Sequence, residues 1–283
     1  MSIRAKLGTA AAILKREGFV RLLKETGRRY LGMGKPRPEE VEIVFRAFHG
    51  QKQSGIMIDV GAHFGTALKP FAQSGWNVFA FEPDPSNREK LQQAFGASAN
   101  VVIDPRGLGD RAKENVPFFT SKVSTGISGL SAFHSSHVAS GAIDVTTLDK
   151  VCEDQRIGRI DFLKIDTEGY DLFVLKGVPW ERVKPDVIVC EFEDSKTLPL
   201  GYSFHDLAHF LEERGYRLVV SEWQPIRQYG GLHDWNRFVR YPCRLKDEKA
   251  WGNIIATRSD SLLDSIVAAC KQYAPVEGSD GTV

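Results

Sequence analysis

Between Ser54 and Glu191 the chain alternates short apolar runs of strand length with helix-length segments, and those runs end on glycines or carboxylates. The runs span 56–61, 77–81, 101–103, 160–165 and 186–191, and several are apolar throughout rather than at every second residue. A strand covered on only one face alternates apolar and polar residues; a continuous apolar run is buried on both faces. The pattern therefore predicts a doubly wound α/β fold, a mostly parallel sheet with helices on both sides. Helices are expected over 66–74, 85–95 and 205–214, and late strands over 216–221 and 253–257. Segments 116–120 and 142–145 read as an added hairpin or edge strands around a Ser/Gly-rich stretch. In such sheets ligands bind at the carboxyl ends of the strands, near the point where strand order reverses.

A chain of 283 residues is long enough for one such core. Charge is uneven along it. Residues 1–38 hold 10 Lys or Arg against 2 Glu, and the remainder holds 27 basic against 34 acidic residues. The overall formal charge of +1 gives no field for nucleic-acid binding, and none is expected. Residues 1–50 read as a basic N-terminal helical extension, 51–274 as the α/β domain and 275–283 as a disordered tail. Within 1–31, Lys15, Arg16, Arg21, Lys24, Arg28 and Arg29 load one helix face. That pattern suits peripheral contact with an anionic membrane, and equally a helix docked on the core with its charges in water. Four scattered cysteines without a CxxC pair, and no apolar run of membrane-spanning length, point to a reduced cytoplasmic setting. Nothing in the pattern sets an oligomeric state.

The strand ends carry the chemistry. Asp59-Val-Gly-Ala-His-Phe-Gly65 follows the first strand, where glycines let backbone approach a ligand closely. The glycine spacing is not G-x-G-x-x-G, which argues against a nicotinamide-dependent oxidoreductase. Glu82, followed by Pro83, ends the second strand 17 residues after Gly65, the place from which a carboxylate reaches the two hydroxyls of a ribose. The fourth run ends in Lys164-Ile-Asp166-Thr-Glu168-Gly169. There Asp166 and Glu168 are candidates for a base, for holding a substrate hydroxyl or for ligating a metal; a helix cap is the plainer role for Asp166 or Thr167 and fits Glu168 less well. Glu191 and Glu193 end the fifth run on the same rim. His63 and His134 are weaker candidates for a base; His205 and His209 stand four apart, a spacing compatible with one metal face, but no HExxH or Cys pair accompanies them and no metal is expected. Trp223, with nearby tyrosines and glycines, suits either a sugar ring or a core flap.

In the blocks IDVGAHFG, FAFEPDPSN, TTLDKV, IDFLKIDTEGYDLFVLKG and PDVIVCEFE, taken in that order, the chain resembles the FkbM methyltransferases of the class I S-adenosylmethionine-dependent superfamily. The resemblance covers about residues 54–195. It implies a Rossmann-like seven-stranded sheet, S-adenosylmethionine as cofactor, and methyl transfer to a hydroxyl oxygen. The acceptors it implies are sugars of glycans, glycolipids or lipo-oligosaccharides, or polyketide-type natural products. By position, Asp59, Gly61, Ala62 and Gly65 would line the methionine side, Glu82 and Pro83 the ribose, and Asp110 the adenine. Asp166 and Glu168 would face the reaction centre. Apart from the resemblance, His134, Glu191, Glu193 and Trp223 are candidates to touch the acceptor. A module that binds the nucleoside without turnover is the rival from another class; the presence of Glu82, Asp166 and Glu168 together weighs against it.

Overall fold

The computed structural model describes residues 37–49 and 51–279. The basic segment 1–31 and its membrane reading lie outside the described residues. Helix α1 (Glu40–His49) precedes β1 (Ile56–Val60), which is followed by α2 (Lys69–Gln73), β2 (Asn77–Phe81), α3 (Pro85–Phe95) and β3 (Val101–Asp104). A small sheet then forms from β4 (Gly107–Leu108), β5 (Lys113–Ser121) and β6 (His137–Thr146), in the order β4-β6-β5. The chain returns through α4 (Leu148–Asp154) to β7 (Phe162–Ile165), then α5 (Asp171–Lys176), β8 (Val187–Glu193), α6 (Asp194–Thr197) and α7 (Phe204–Glu212). It closes with β9 (Arg217–Trp223), β10 (Trp235–Arg240), β11 (Trp251–Thr257), α8 (Asp260–Cys270) and β12 (Val276–Glu277).

The large sheet has the order β12-β10-β9-β11-β8-β7-β1-β2-β3. From β3 to β8 every pairing is parallel, and β11 runs antiparallel to both β8 and β9. The expected sheet is thus the portion from β3 to β9, extended by β10 and β12 among the described residues. Two sequence expectations are corrected here. Residues 224–241, read partly as a flap, supply β10, whose Trp235 and Phe238 are buried against the core. The tail read as disordered from residue 275 gives β12, where Val276 pairs with Phe238 and Arg237 Nη1 donates to Glu277 Oε2 at 2.7 Å.

Alternation along each strand feeds two cores. Met57 and Val189 pack on one face with Val44 of α1, Phe71 of α2 and Ile266 of α8. Ile58 and Cys190 pack on the other with Val151 of α4, Leu175 of α5 and Leu207 of α7. Burial of this apolar area on both faces is the main force holding the sheet. After β1 the chain builds outward through β2 and β3, then crosses to β7 on the other flank of β1. The reversal therefore lies between β1 and β7, and their carboxyl ends open a crevice there.

Candidate active site

A cavity of about 530 Å³ opens at that reversal, lined by Gly61, Ala62, Glu82, Pro83, Asp166 and Glu168 among others. Six residues picked out from sequence are thus brought together. The turn after β1 is shaped by positive backbone angles, with φ of 76° at Gly61 and 80° at Gly65. A side chain on Gly61 would collide with the carbonyl oxygen of Asp166, so glycine is what lets the ends of β1 and β7 pass so closely. Gly65 works differently. It lies off the cavity, and its bare Cα makes room for Phe95 and Leu91 of α3.

Glu82 ties the turn after β1 to the turn after β2. Its Oε2 accepts from the His63 N–H at 2.7 Å and its Oε1 from the Asp84 N–H at 2.8 Å, joining the glycine turn to the turn after β2. Asp84 caps α3, accepting from Ser86 N at 2.8 Å, and its other oxygen accepts from Ser128 Oγ at 3.1 Å. Asn87 lines the cavity, donates from Nδ2 to the Thr125 carbonyl, and keeps a buried Oδ1 without a hydrogen bond among the described residues. The 3-10 turn Thr125–Ile127 is clasped from a third side by His63, whose Nε2 meets Thr125 Oγ1 at 3.0 Å. Burial lowers the pKa of His63, which favours the neutral ring in this contact. Leu108, Phe118 and Ile143 form an apolar end to the same cavity.

At the other flank Lys164 and Glu168 anchor two charge clusters. Lys164 Nζ donates to the Gly61 carbonyl at 2.8 Å and lies 3.2 Å from Asp59 Oδ1 and 3.5 Å from Asp166 Oδ2. Asp59 is fully enclosed and off the cavity: it steers Lys164 from below instead of touching a ligand. Parallel pairing of β1 and β7 puts Asp59 opposite Lys164 on one face of the sheet, which explains the contact. Glu168 has φ 56°, a left-handed conformation that costs a non-glycine residue about 1–3 kcal/mol and is maintained only where the surroundings enforce it. Its Oε2 lies 2.6 Å from Lys196 Nζ, an ammonium that also contacts Glu191 Oε2 at 3.1 Å and Glu193 Oε2 at 2.9 Å. Asp171 ties the two strand ends, accepting from Thr167 Oγ1 at 2.8 Å and from the Glu191 N–H at 2.9 Å. Carboxylate oxygens of Asp166, Glu168 and Glu191 come within 4.8 Å of one another, and the cation found against two of them is the protein's own Lys196.

These carboxyls are held above their usual range. Burial pushes Glu82 up to about 7 against the pull of its two N–H partners. Burial also pushes Glu168 up to about 7, with Lys196 pulling it down, and raises Asp171 to about 6. A carboxyl whose folded pKa exceeds its unfolded value binds more protons folded than unfolded, so stability falls as pH rises through that interval. Chemical denaturation of the cofactor-free protein should show lower stability at about pH 8 than at about pH 6, a consequence of these three groups. A stability that rises over that interval would contradict their burial.

The Methyltransferase FkbM domain matches this chain over residues 59–218, more than half its length and all of the strand ends just described. The chain belongs to the FkbM methyltransferase family. Two curated relatives are similar to it. The Hexuronic acid methyltransferase AglP of Haloferax volcanii is 25% identical over 143 residues, covering 49% of this chain and 56% of the relative. The Methyltransferase sdnD of Sordaria araneosa is 39% identical over 77 residues, 25% of this chain and 27% of the relative. The chain thus spans about half of the first curated relative and about a quarter of the second. Among solved structures, a SAM-dependent O-methyltransferase of Thermotoga maritima is 14% identical with a TM-score of 0.39, covering 83% of this chain and 71% of that one.

The cofactor of this FkbM methyltransferase is S-adenosylmethionine. The residues present fit such a group: an acid at the end of β2, a bare-backbone turn beside it, a buried Asn87 Oδ1 without a hydrogen bond among the described residues, and an apolar end formed by Leu108, Phe118 and Ile143. Other residues singled out from the sequence fall elsewhere. Asp110 is outside the cavity lining and lies 3.6 Å from Arg111. Trp223 is buried, donating Nε1 to Glu40 Oε1 at 3.0 Å and packing on Trp251, its neighbour across β9 and β11. His134 stacks edge-on to Tyr229 and bonds Ser136 Oγ at 2.7 Å, beside the Lys196 cluster but off the cavity lining. Sequence reasoning missed Lys196, Asn87 and Asp171. Asn87 and Asp171 sit within the quoted blocks, whereas no local pattern marks Lys196.

Proposed function

We propose that this methyltransferase acts on a hydroxyl of a sugar in a glycan, glycolipid or lipo-oligosaccharide, with Glu168 receiving the hydroxyl proton. The observation that carries the reading is a carboxylate on the cavity wall whose burial raises it to about 7, the range in which a base both exists ionised and binds a proton well. When bound, S-adenosylmethionine supplies a sulfonium methyl group that an oxygen nucleophile takes in one displacement. Glu82 would hold the ribose hydroxyls through lone pairs left over from its two N–H partners, and the turn Gly61–Ala62 would bring backbone against the methionyl chain. The turn at Thr125, pinned by His63, Asn87 and Asp84 through Ser128, would exclude water over the nucleoside. Glu168 Oε2 rests on Lys196, which leaves Oε1 as the oxygen to receive an acceptor proton. Holding the acceptor in line supplies much of the remaining rate.

Support for a sugar comes from the AglP relative, whose name gives a hexuronic acid as its substrate, and from the aromatic faces of Phe133, His134 and Tyr229 grouped beside the acids. No helix among the described residues is long and apolar enough to cross a membrane. The test is transfer of tritiated methyl from S-adenosylmethionine to a panel of p-nitrophenyl glycosides. Label that appears on a glycoside and resists mild alkali is the expected ether. Label released by alkali would indicate a carboxyl ester, and label on none of the panel would remove the sugar assignment.

A further inference from the structure

We propose that Lys196 is a positioning residue for Glu168: its ammonium fixes the carboxylate against the cavity and keeps it ionised to receive a proton. The inference rests on the reading of Glu168 as the base and assigns a second residue to that role. Lys196 does not line the cavity and is 2% exposed, so it acts only through what it touches. Its ammonium lies 2.6, 3.1 and 2.9 Å from carboxylate oxygens of Glu168, Glu191 and Glu193, and it donates a hydrogen bond to Glu191. A carboxylate gripped at Oε2 alone presents Oε1 in one direction, and this directs a side chain that leaves the backbone from a left-handed residue.

The turn is built to admit the lysine. Gly169, with φ 97°, has no side chain, and a Cβ there would lie 3.2 Å from Lys196 Cβ. The glycine that follows Glu168 therefore lets the lysine stem lie along the turn. Phe133 and Tyr229 present their rings 5.3 and 5.7 Å from the ammonium and help keep water away. Glu193 is in turn fixed by Ser195 Oγ at 2.6 Å and Tyr229 OH at 2.8 Å.

Stability alone does not account for the cluster. A buried ion group replaced by apolar residues of similar size is often neutral or stabilising, so its presence calls for a task. Every charged group facing Glu168 except Lys196 opposes its ionisation. Asp166 stands on its own turn, Glu191 and Glu193 on β8, and Asp171 on α5 faces Glu191. Lys164 is taken up by Asp59, Asp166 and the Gly61 carbonyl. One ammonium against this many acids leaves Lys196 as the cation that decides whether Glu168 is ionised near neutral pH.

The experiment follows the carboxyl stretch of Glu168 by pH-difference infrared spectroscopy on the full chain saturated with S-adenosylhomocysteine, the band being identified by its loss in E168Q. Lys196→Met should raise the Glu168 midpoint by about one pH unit or more, Lys196→Arg should restore most of it, and Glu191→Gln should lower it. S-adenosylhomocysteine affinity should stay within about twofold in all three, because none of these side chains lines the cofactor end. A folded Lys196→Met protein with an unmoved midpoint overturns the proposal. Should that variant fail to fold, a Glu191→Gln midpoint that is unchanged or raised overturns it equally. The readout needs no acceptor: midpoints that move as expected while E168Q keeps full turnover would sink the base reading and leave the positioning contact standing.

Discussion

Glu168→Gln should lower methyl transfer by about 10²-fold or more and leave S-adenosylhomocysteine affinity nearly unchanged. The substitution keeps the volume of the side chain, and Lys196 retains Glu191 and Glu193 as partners, so the fold should hold. What it removes is the proton acceptor. Since the base works only when ionised and burial holds its pKa at about 7, the wild-type rate should rise with pH through that region. The rate of E168Q should lack this rise. Asp166 offers the natural comparison, because its side chain is 45% exposed and its nearest cation is Lys164 at 3.5 Å. Near-normal turnover in E168Q, with the pH profile intact, would transfer the role to another group.

Gly61→Ala should be the most damaging single change to the fold of the site. Two costs add at this position. The backbone angle of 76° disfavours any side chain, and the new Cβ would strike the carbonyl oxygen of Asp166, a backbone atom that cannot rotate away. Strain and overpacking together should cost about 3–5 kcal/mol, a large share of the stability of a typical domain. Gly75→Ala separates the two, since Gly75 has φ 79° but nothing within 4 Å of the added carbon. Thermal unfolding of the pair should show a small loss for Gly75→Ala and a large one for Gly61→Ala, together with loss of cofactor binding in the latter. Equal losses would mean that the crossing of β1 and β7 is looser than the structure describes.

Much of this site was legible because a strand-ending acid announces itself: Glu82, Asp166 and Glu168 each close an apolar run, and all three line the cavity. What periodicity does not carry is which strand lies beside which. Asp59 was expected at the ligand, yet it meets Lys164 across the β1–β7 pair, a neighbour set by register alone. Trp223, left open between a sugar ring and the core, packs in the core, its partners being Glu40 on α1 and Trp251 on β11. Lys196 sits in a polar stretch between β8 and α7, and only the folded turn at Gly169 brings it to Glu168. The helix expected over 66–74 is shorter, Lys69–Gln73, because Pro70 is accommodated only in a first helical turn and so marks the start.

Calorimetric titration with S-adenosylhomocysteine, comparing the wild-type chain with Glu82→Ala and using NADH as the control ligand, tests the central claim that this cavity is the nucleoside site. The account predicts wild-type affinity on the order of micromolar, no heat with NADH, and a loss of roughly 30-fold in the variant as charge-assisted hydrogen bonds to the ribose disappear. Unchanged affinity in Glu82→Ala, or binding of NADH in place of S-adenosylhomocysteine, would contradict it.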